Sequence, residues 1–219
     1  MANNQIQMTE PTPLVWVSLV TPRPARPDGQ SRYEVTFLLK RDHADLARIE
    51  AEIQKLALEK LGRTQGISIP LAGGDRLADE AKAKGKDREF LRGYIRLSAH
   101  AGIARRNGEP LMPPRIKVVL NGRIVDRTDD RALAQPALYS GVMAIGTVSF
   151  AAYDGMGGGI SCYVNEVLSL NKGERINTGV SDEERYAEVI GKHIGHASTI
   201  DPTAGMGSMP DGPAGPREY

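Results

Sequence analysis

Residues 32–62 read RYEVTFLLKRDHADLARIEAEIQKLALEKLG, and the hydrophobic period changes part-way along. Tyr33, Val35, Phe37 and Leu39 fall on alternate positions. In an extended chain these point to one face, so residues 32–40 predict a half-buried strand. From residue 42 onward Leu46, Ile49, Ile53, Leu56 and Leu61 recur at helical spacing, which predicts an amphipathic helix over 42–61. Asp42 or Asp45 can cap its start and Gly62 can stop it.

No other stretch supports a long helix, so the flanks decide the architecture. Upstream, LVWVSLV (14–20) reads as a strand, and the prolines of TPRPARPDG (21–29) predict irregular chain. Residues 1–13 are polar with two prolines and predict a loose arm. Downstream, residues 62–89 are rich in Gly, Lys and Asp, predicting a mobile insertion with a short helix near 75–84. Strands are then expected in FLRGYIRLSAH (90–100), RIKVVLNGRIVD (115–126), YSGVMAIGTVSFAAYD (139–154) and ISCYVNEVLSLNKGERI (160–176). Asn121-Gly122 marks a two-residue type I′ hairpin. Gly93, Gly141 and Gly146 inside strands predict bulges or sharp bends. The sum is a mainly β, strongly curved and mostly antiparallel barrel over 14–180, with one long helix after its second strand. A short helix over 181–196, capped by Ser181, and a disordered tail over 197–219 complete the expected organisation.

Charge is unevenly placed. Residues 1–181 hold 25 Lys and Arg against 20 Asp and Glu, whereas residues 182–219 hold 3 against 7. Residues 86–131 carry 11 basic and 6 acidic side chains, a local +5 that equals the whole surplus of the body and favours a polyanionic partner. No apolar run approaches the ~20 residues of a membrane span, and the first residues lack a secretory signal pattern, so a cytoplasmic protein is expected. The single Cys162 excludes an internal disulfide and reads as a small buried hydrophobe.

Chemistry finds little purchase. His43 and His100 are isolated, and His193-x-x-His196 has no third ligand nearby in sequence, so no metal site is expected. DGMGGG (154–159) lacks the Lys-Ser/Thr of a phosphate loop and is flanked by strands, which makes it a hairpin loop. Asp126, Asp129 and Asp130 are the one candidate for a metal-dependent nuclease or resolvase, and that enzyme is the alternative reading. They lie among arginines in VDRTDDR, where a solvated loop is the simpler account.

A binding face has positive support. Phe90, Arg92, Tyr94, Arg96 and His100 alternate along 90–100, with Leu91, Ile95, Leu97 and Ala99 between them. Rings for bases and cations for phosphates are what a general binder of single strands requires. Arg105 and Arg106 in the next loop, then Arg115, Lys117 and Arg123 around the hairpin, extend the positive surface. Trp16, Tyr139, Tyr153 and Tyr163 are further ring candidates, each read individually as core before platform. The competing account of 90–100 is a strand buried on both faces, its arginines reaching past it to solvent.

GGD at 73–75, a lysine-rich spacer, GYIRLSAHA at 93–101, IVDR at 124–127, ALYSGVMAIGTVSFAAYD at 137–154 and the glycine loop before ISCYVNEVLSLNKGERI together resemble a family of tailed-phage single-stranded-DNA-binding proteins. The resemblance runs from about residue 15 to 176. It implies an OB-type barrel, no catalytic activity, no cofactor, and protection of exposed strands during phage DNA replication, recombination or repair in the host cytoplasm. Single-stranded DNA is the implied partner, with phage or host replication and recombination proteins beside it and no membrane. It also implies that the strand containing Tyr94 and Arg96 and the block from Tyr139 to Tyr153 build the barrel and its groove. Two departures from the family pattern are the low aromatic content, 5%, and the weakly acidic ending DGPAGPREY. Electrostatics is therefore expected to outweigh stacking. The oligomeric state stays open, a homodimer among the options.

Overall fold

The computed structural model describes residues 5–24, 29–105, 107–155 and 157–178. Its elements in chain order are β1 (Gln5–Gln7), β2 (Thr12–Pro24), β3 (Ser31–Lys40), α1 (Leu46–Leu61), β4 (Leu71–Gly73), α2 (Gly74–Lys82), β5 (Tyr94–Gly102), β6 (Arg115–Leu120), β7 (Arg123–Asp126), α3 (Arg131–Ala134), β8 (Met143–Tyr153) and β9 (Gly159–Ser169).

Five strands close on themselves. β2 pairs with β3, β3 with β5, β5 with β9, β9 with β8, and β8 returns to β2. This closed, mainly β architecture is OB-like. The pairing is mostly antiparallel, as expected, with two parallel exceptions: β5 meets β9 at His100 and Tyr163, and β6 runs alongside β9. β6 and β7 form a hairpin outside the ring, and β4 adds to β5. Asn121 and Gly122, with φ of 49° and 74°, make the turn of that hairpin, the pair of positive dihedrals a type I′ turn needs.

The alternation in 32–40 sends Val35, Phe37 and Leu39 into the barrel, where they meet Leu14, Leu97, Ala99, Val148 and Val164. α1 adds Ile49, Ile53, Leu56 and Ala57 to the same core. Gly146 of β8 is required by this packing: a Cβ there would lie 2.5 Å from the ring of Phe37.

Several boundaries differ from the sequence expectation. Residues 5–13 are no loose arm: β1 pairs with β8, and Ile6 and Met8 are buried. Two apolar side chains in a polar stretch suffice to fix it, because both find core positions. Asp45 does not cap α1 with its side chain. Its Oδ2 accepts from the Thr9 backbone N–H at 2.6 Å and its Oδ1 from Arg48 at 2.7 Å, tying the arm to the helix start. α1 begins at Leu46, not at residue 42. β2 continues through Pro22 to Pro24, and Arg23 and Pro24 are in register with Arg32 and Ser31. The insertion over 62–89 contains β4 and α2, so its short helix falls close to where it was expected. The helix expected over 181–196, with His193 and His196, and the tail over 197–219 lie outside the described residues.

Candidate nucleic-acid interface

Register decides which side chains share the outside of the barrel. Lys40, Leu38, Thr36 and Glu34 of β3 stand opposite Tyr94, Arg96, Ser98 and His100 of β5. Because Leu39, Phe37 and Val35 face the core, this second set faces outward. The outer face divides into two parts. At one end Val15 and Leu38 are fully buried with Leu91 in a second small core, against which Trp16, Leu77, Phe90 and Tyr94 pack. Leu77 belongs to α2, and Leu91 ends a 3₁₀ turn, Glu89–Leu91. The insertion therefore covers this end.

Beyond the insertion lie Ser98 and His100, with Tyr163 arriving from β9. The His100 and Tyr163 rings have centroids 5.0 Å apart at an interplanar angle of 53°, and Tyr163 is 37% exposed. Burial lowers the proton affinity of His100; the Arg32 guanidinium lowers it further and Glu34 opposes. Arg32 and Glu34 are themselves paired at 2.5 Å. The imidazole is thus held toward its neutral form in the free protein. Tyr153 of β8 shares the outward face of Tyr163, since Ser149 pairs with Tyr163 and Tyr153 with Gly159; it is 39% exposed.

Arg96 stands at the border between the covered and open parts. It is half-buried, and its Nε is buried without a hydrogen-bond partner among the described residues. Burial first, then the charges of Arg88 and Arg76, push its proton affinity down. Arg88 lies over the Trp16 ring, 5.1 Å from its centroid, and Trp16 meets Phe90 edge-on at 5.8 Å. Trp16 takes φ +51° within an irregular part of β2 between Val15 and Ser18, a strained conformation for a large side chain.

The structure corrects the reading of 90–100 as one strand. β5 starts at Tyr94; Phe90 lies in the 3₁₀ turn and Gly93, at φ +78°, separates that turn from the strand. Phe90 and Tyr94 pack on the second core. Arg92 is bound to Glu89 at 2.5 Å and Asp79 at 2.7 Å, which strengthens its hold on its proton. Asp75, lowered chiefly by the Gly93 backbone N–H at 2.9 Å, also pairs with Arg41.

Other predicted cations are placed elsewhere. Arg105 pairs with Glu109 at 3.2 Å, and Arg106 lies outside the described residues. Lys117 and Arg115 both reach Glu166 of β9, at 3.0 and 3.2 Å. Arg123 is exposed on β7, in the hairpin outside the ring. Tyr139 donates its hydroxyl to the Gly173 carbonyl at 3.0 Å, beneath Arg175 at 4.4 Å. The barrel's outer face thus gathers Tyr94, Arg96, His100 and Tyr153, and does not gather Lys117, Arg123, Tyr139 or Arg105. Of the ring candidates read first as core it also takes Tyr163 and Trp16, and it adds Arg32 and Arg88, which the sequence did not single out. Tyr163 was legible from its position between buried Cys162 and Val164; Arg88, in the lysine-rich stretch, carried no such signal.

The acidic candidates do not converge. Asp126 accepts from the Thr128 backbone N–H at 2.8 Å, and hydrogen bonds from Thr128 hold its carboxyl below the ordinary range. Asp129 and Asp130 are exposed just before α3. Among the described residues no three His, Cys, Asp or Glu side chains gather as metal ligands would. Burial pushes the Cys162 thiol well above its usual range, as a buried hydrophobe requires. Residues 154–158 connect β8 to β9, and Arg63 donates to the Gly157 carbonyl at 2.6 Å.

A closed barrel with rings and guanidiniums on the outside of its central strands defines a nucleic-acid-binding OB-type protein. Residues 6–193 match the family described as Enterobacter phage Enc34, ssDNA-binding protein, and the chain belongs to that family. Among solved structures it is similar to the single-stranded DNA-binding protein from bacteriophage Enc34 in complex with ssDNA, at 14% identity and a TM-score of 0.60 over 80% of this chain and 91% of that one. It is also similar to gp2.5, a single-stranded DNA binding protein encoded by bacteriophage T7, at 11% identity and a TM-score of 0.50 over 84% and 98%. At such identities the likeness establishes a shared fold. No curated protein matched in sequence. No helix among the described residues is long and apolar enough to cross a membrane.

Proposed function

We propose that this chain coats single-stranded DNA, largely without regard to sequence, during phage DNA replication, recombination or repair in the host cytoplasm, and that it does so without catalysing a reaction. The observation that carries the reading is the pair of rings, His100 and Tyr163, side by side on the outer face of a closed barrel with Arg96 four residues from His100 on the same face of β5, in a chain that belongs to the family above. Bases present flat faces to such rings, and the backbone between them presents phosphates to guanidiniums. In this reading Arg96, His100, Tyr163 and Tyr153 contact the strand, and Phe90 and Tyr94 hold the insertion in place beside it. Arg92, Arg105 and Lys117 contribute less, because carboxylates already neutralise them.

Fluorescence anisotropy of a labelled oligothymidylate, with a duplex of equal length as comparison, tests this. Tighter binding of the single strand, weakening steeply with salt, is expected. Equal or stronger binding of the duplex, or no binding at low salt, would refute it.

A further inference from the structure

The insertion carries many charges, and several are matched within it or by its immediate neighbours. Arg41 pairs with Asp75, Arg76 with Glu80, and Arg92 with Glu89 and Asp79. Arg88 and Arg96 are the half-buried exceptions: among the described residues neither has a carboxylate partner, and the other unpaired cations of this region, Lys82, Lys84 and Lys86, are exposed to solvent. The two arginines come from different parts of the fold, Arg88 just before the 3₁₀ turn and Arg96 from the middle of β5, between Leu38 of β3 and Ala72 of β4. Both border the second small core: Leu38, opposite Arg96 in register, is buried in it, and Trp16, beneath Arg88, packs against it; the charges felt by Arg96 are those of Arg88 and Arg76, with Glu80 opposing them. Arg88 is steadied by the Trp16 face at 5.1 Å, and Arg96 keeps a buried Nε donor unsatisfied.

We propose that Arg88 and Arg96 form a seat for one phosphodiester of the bound strand, at the point where the open part of the barrel face meets the insertion. The inference rests on the single-strand-binding reading and adds to it a defined backbone contact and a role for the insertion. A phosphate has the two requirements that the pair leaves unmet: negative charge between two like-charged guanidiniums, and oxygens that accept from several donors at once. A base edge or an apolar group supplies neither combination. Because the two arginines are contributed by the insertion and by the barrel, a phosphate held by both links the insertion to the strand-binding face. Trp16, the only tryptophan of the chain, lies under Arg88 and reports on the seat.

The experiment uses the full chain, with Arg88→Gln, Arg96→Gln and the double variant. Labelled oligothymidylate binding is followed by anisotropy over a salt series, and Trp16 fluorescence is followed with oligothymidylate or with inorganic phosphate. Each single change is expected to weaken binding roughly tenfold and to reduce the magnitude of the log–log salt slope by about 0.7, the value for one phosphate on a single strand. The double variant should lose little more than either single one, because both residues serve one phosphate. The Trp16 response to oligothymidylate should disappear in Arg88→Gln. Parent-like affinity and slope in Arg88→Gln, in a chain that does bind oligothymidylate, would overturn the seat and leave the binding reading standing. Absence of oligothymidylate binding by the parent would instead sink that reading and the seat with it. A Trp16 response to millimolar inorganic phosphate as large as that to the oligonucleotide would show a free-anion site and overturn the assignment to the strand. Thermal melts of each variant separate these outcomes from loss of folding; if Arg96→Gln does not fold, Arg88→Gln alone decides.

Discussion

Replacing Tyr163 by alanine should weaken single-strand binding by about 5- to 150-fold, because a stacked base is worth about 1–3 kcal/mol. The structure supplies the reasons to expect that loss from this residue. Tyr163 lies between Cys162 and Val164, both buried in the barrel core, so its ring points outward, where it is 37% exposed and 5.0 Å from the His100 ring. Truncation removes the ring without removing charge. The salt slope should therefore stay at the parent value while affinity falls at every salt concentration, unlike the Arg88 and Arg96 variants. Part of the ring is covered by its neighbours, so stability should drop by about 1–2 kcal/mol, and a urea titration at the binding temperature must show the variant folded. Tyr163→Phe, which keeps the stacking surface, should bind within about twofold of the parent. Anisotropy with labelled oligothymidylate at several salt concentrations is the measurement. A folded Tyr163→Ala variant with parent affinity would refute stacking at this face, and an altered slope would show that the ring acts by positioning a cation.

Three further outcomes follow from particular contacts. His100 has a proton affinity depressed below the ordinary 6.5, first by burial and then by Arg32, so the unfolded chain takes up its proton first as pH falls. Its contribution to stability is intact above that value and is lost as pH drops through the depressed one, so melting temperature should fall below about pH 6.5 in the parent and more shallowly in His100→Gln. Gly146→Ala should cost about 1–3 kcal/mol in urea unfolding, since its Cβ would stand 2.5 Å from the fully buried Phe37 ring; a loss under 0.5 kcal/mol would mean that the ring yields. Arg92→Ala should leave oligothymidylate affinity within about threefold of the parent and the salt slope unchanged, because Glu89 and Asp79 already hold that guanidinium. A slope reduced as much as in Arg96→Gln would show that those bridges open when the strand binds.

Much of the fold is legible in short-range pattern. Period-two alternation in 32–40 identified the inward face of β3, the spacing of Leu46, Ile49, Ile53 and Leu56 identified α1, and Asn121-Gly122 identified a hairpin. These signals are local, because each follows from geometry repeated within a few residues. The arm was misread because Ile6 and Met8 bury themselves against residues more than a hundred positions away in β8. The proline-rich end of β2 was misread because pairing with β3 outweighed the local preference of Pro22 and Pro24.

For the binding face, the sequence by itself determined which residue types were available: alternating rings and guanidiniums after the insertion, in a 46-residue segment, 86–131, with a net charge of +5. Which of those charges remain unpaired was decided only by tertiary structure. Arg92 and Arg96 look equivalent four residues apart, yet Gly93 takes Arg92 out of the strand and beside Glu89 and Asp79, whereas the register of β5 against β3 and β4 sets Arg96 near Arg88 and Arg76. Pairing of charges depends on through-space distance, and alternation along a chain carries no information about which distant carboxylate will arrive. The same holds for His100 and Tyr163, which a parallel pairing between β5 and β9 brings together from positions 63 residues apart.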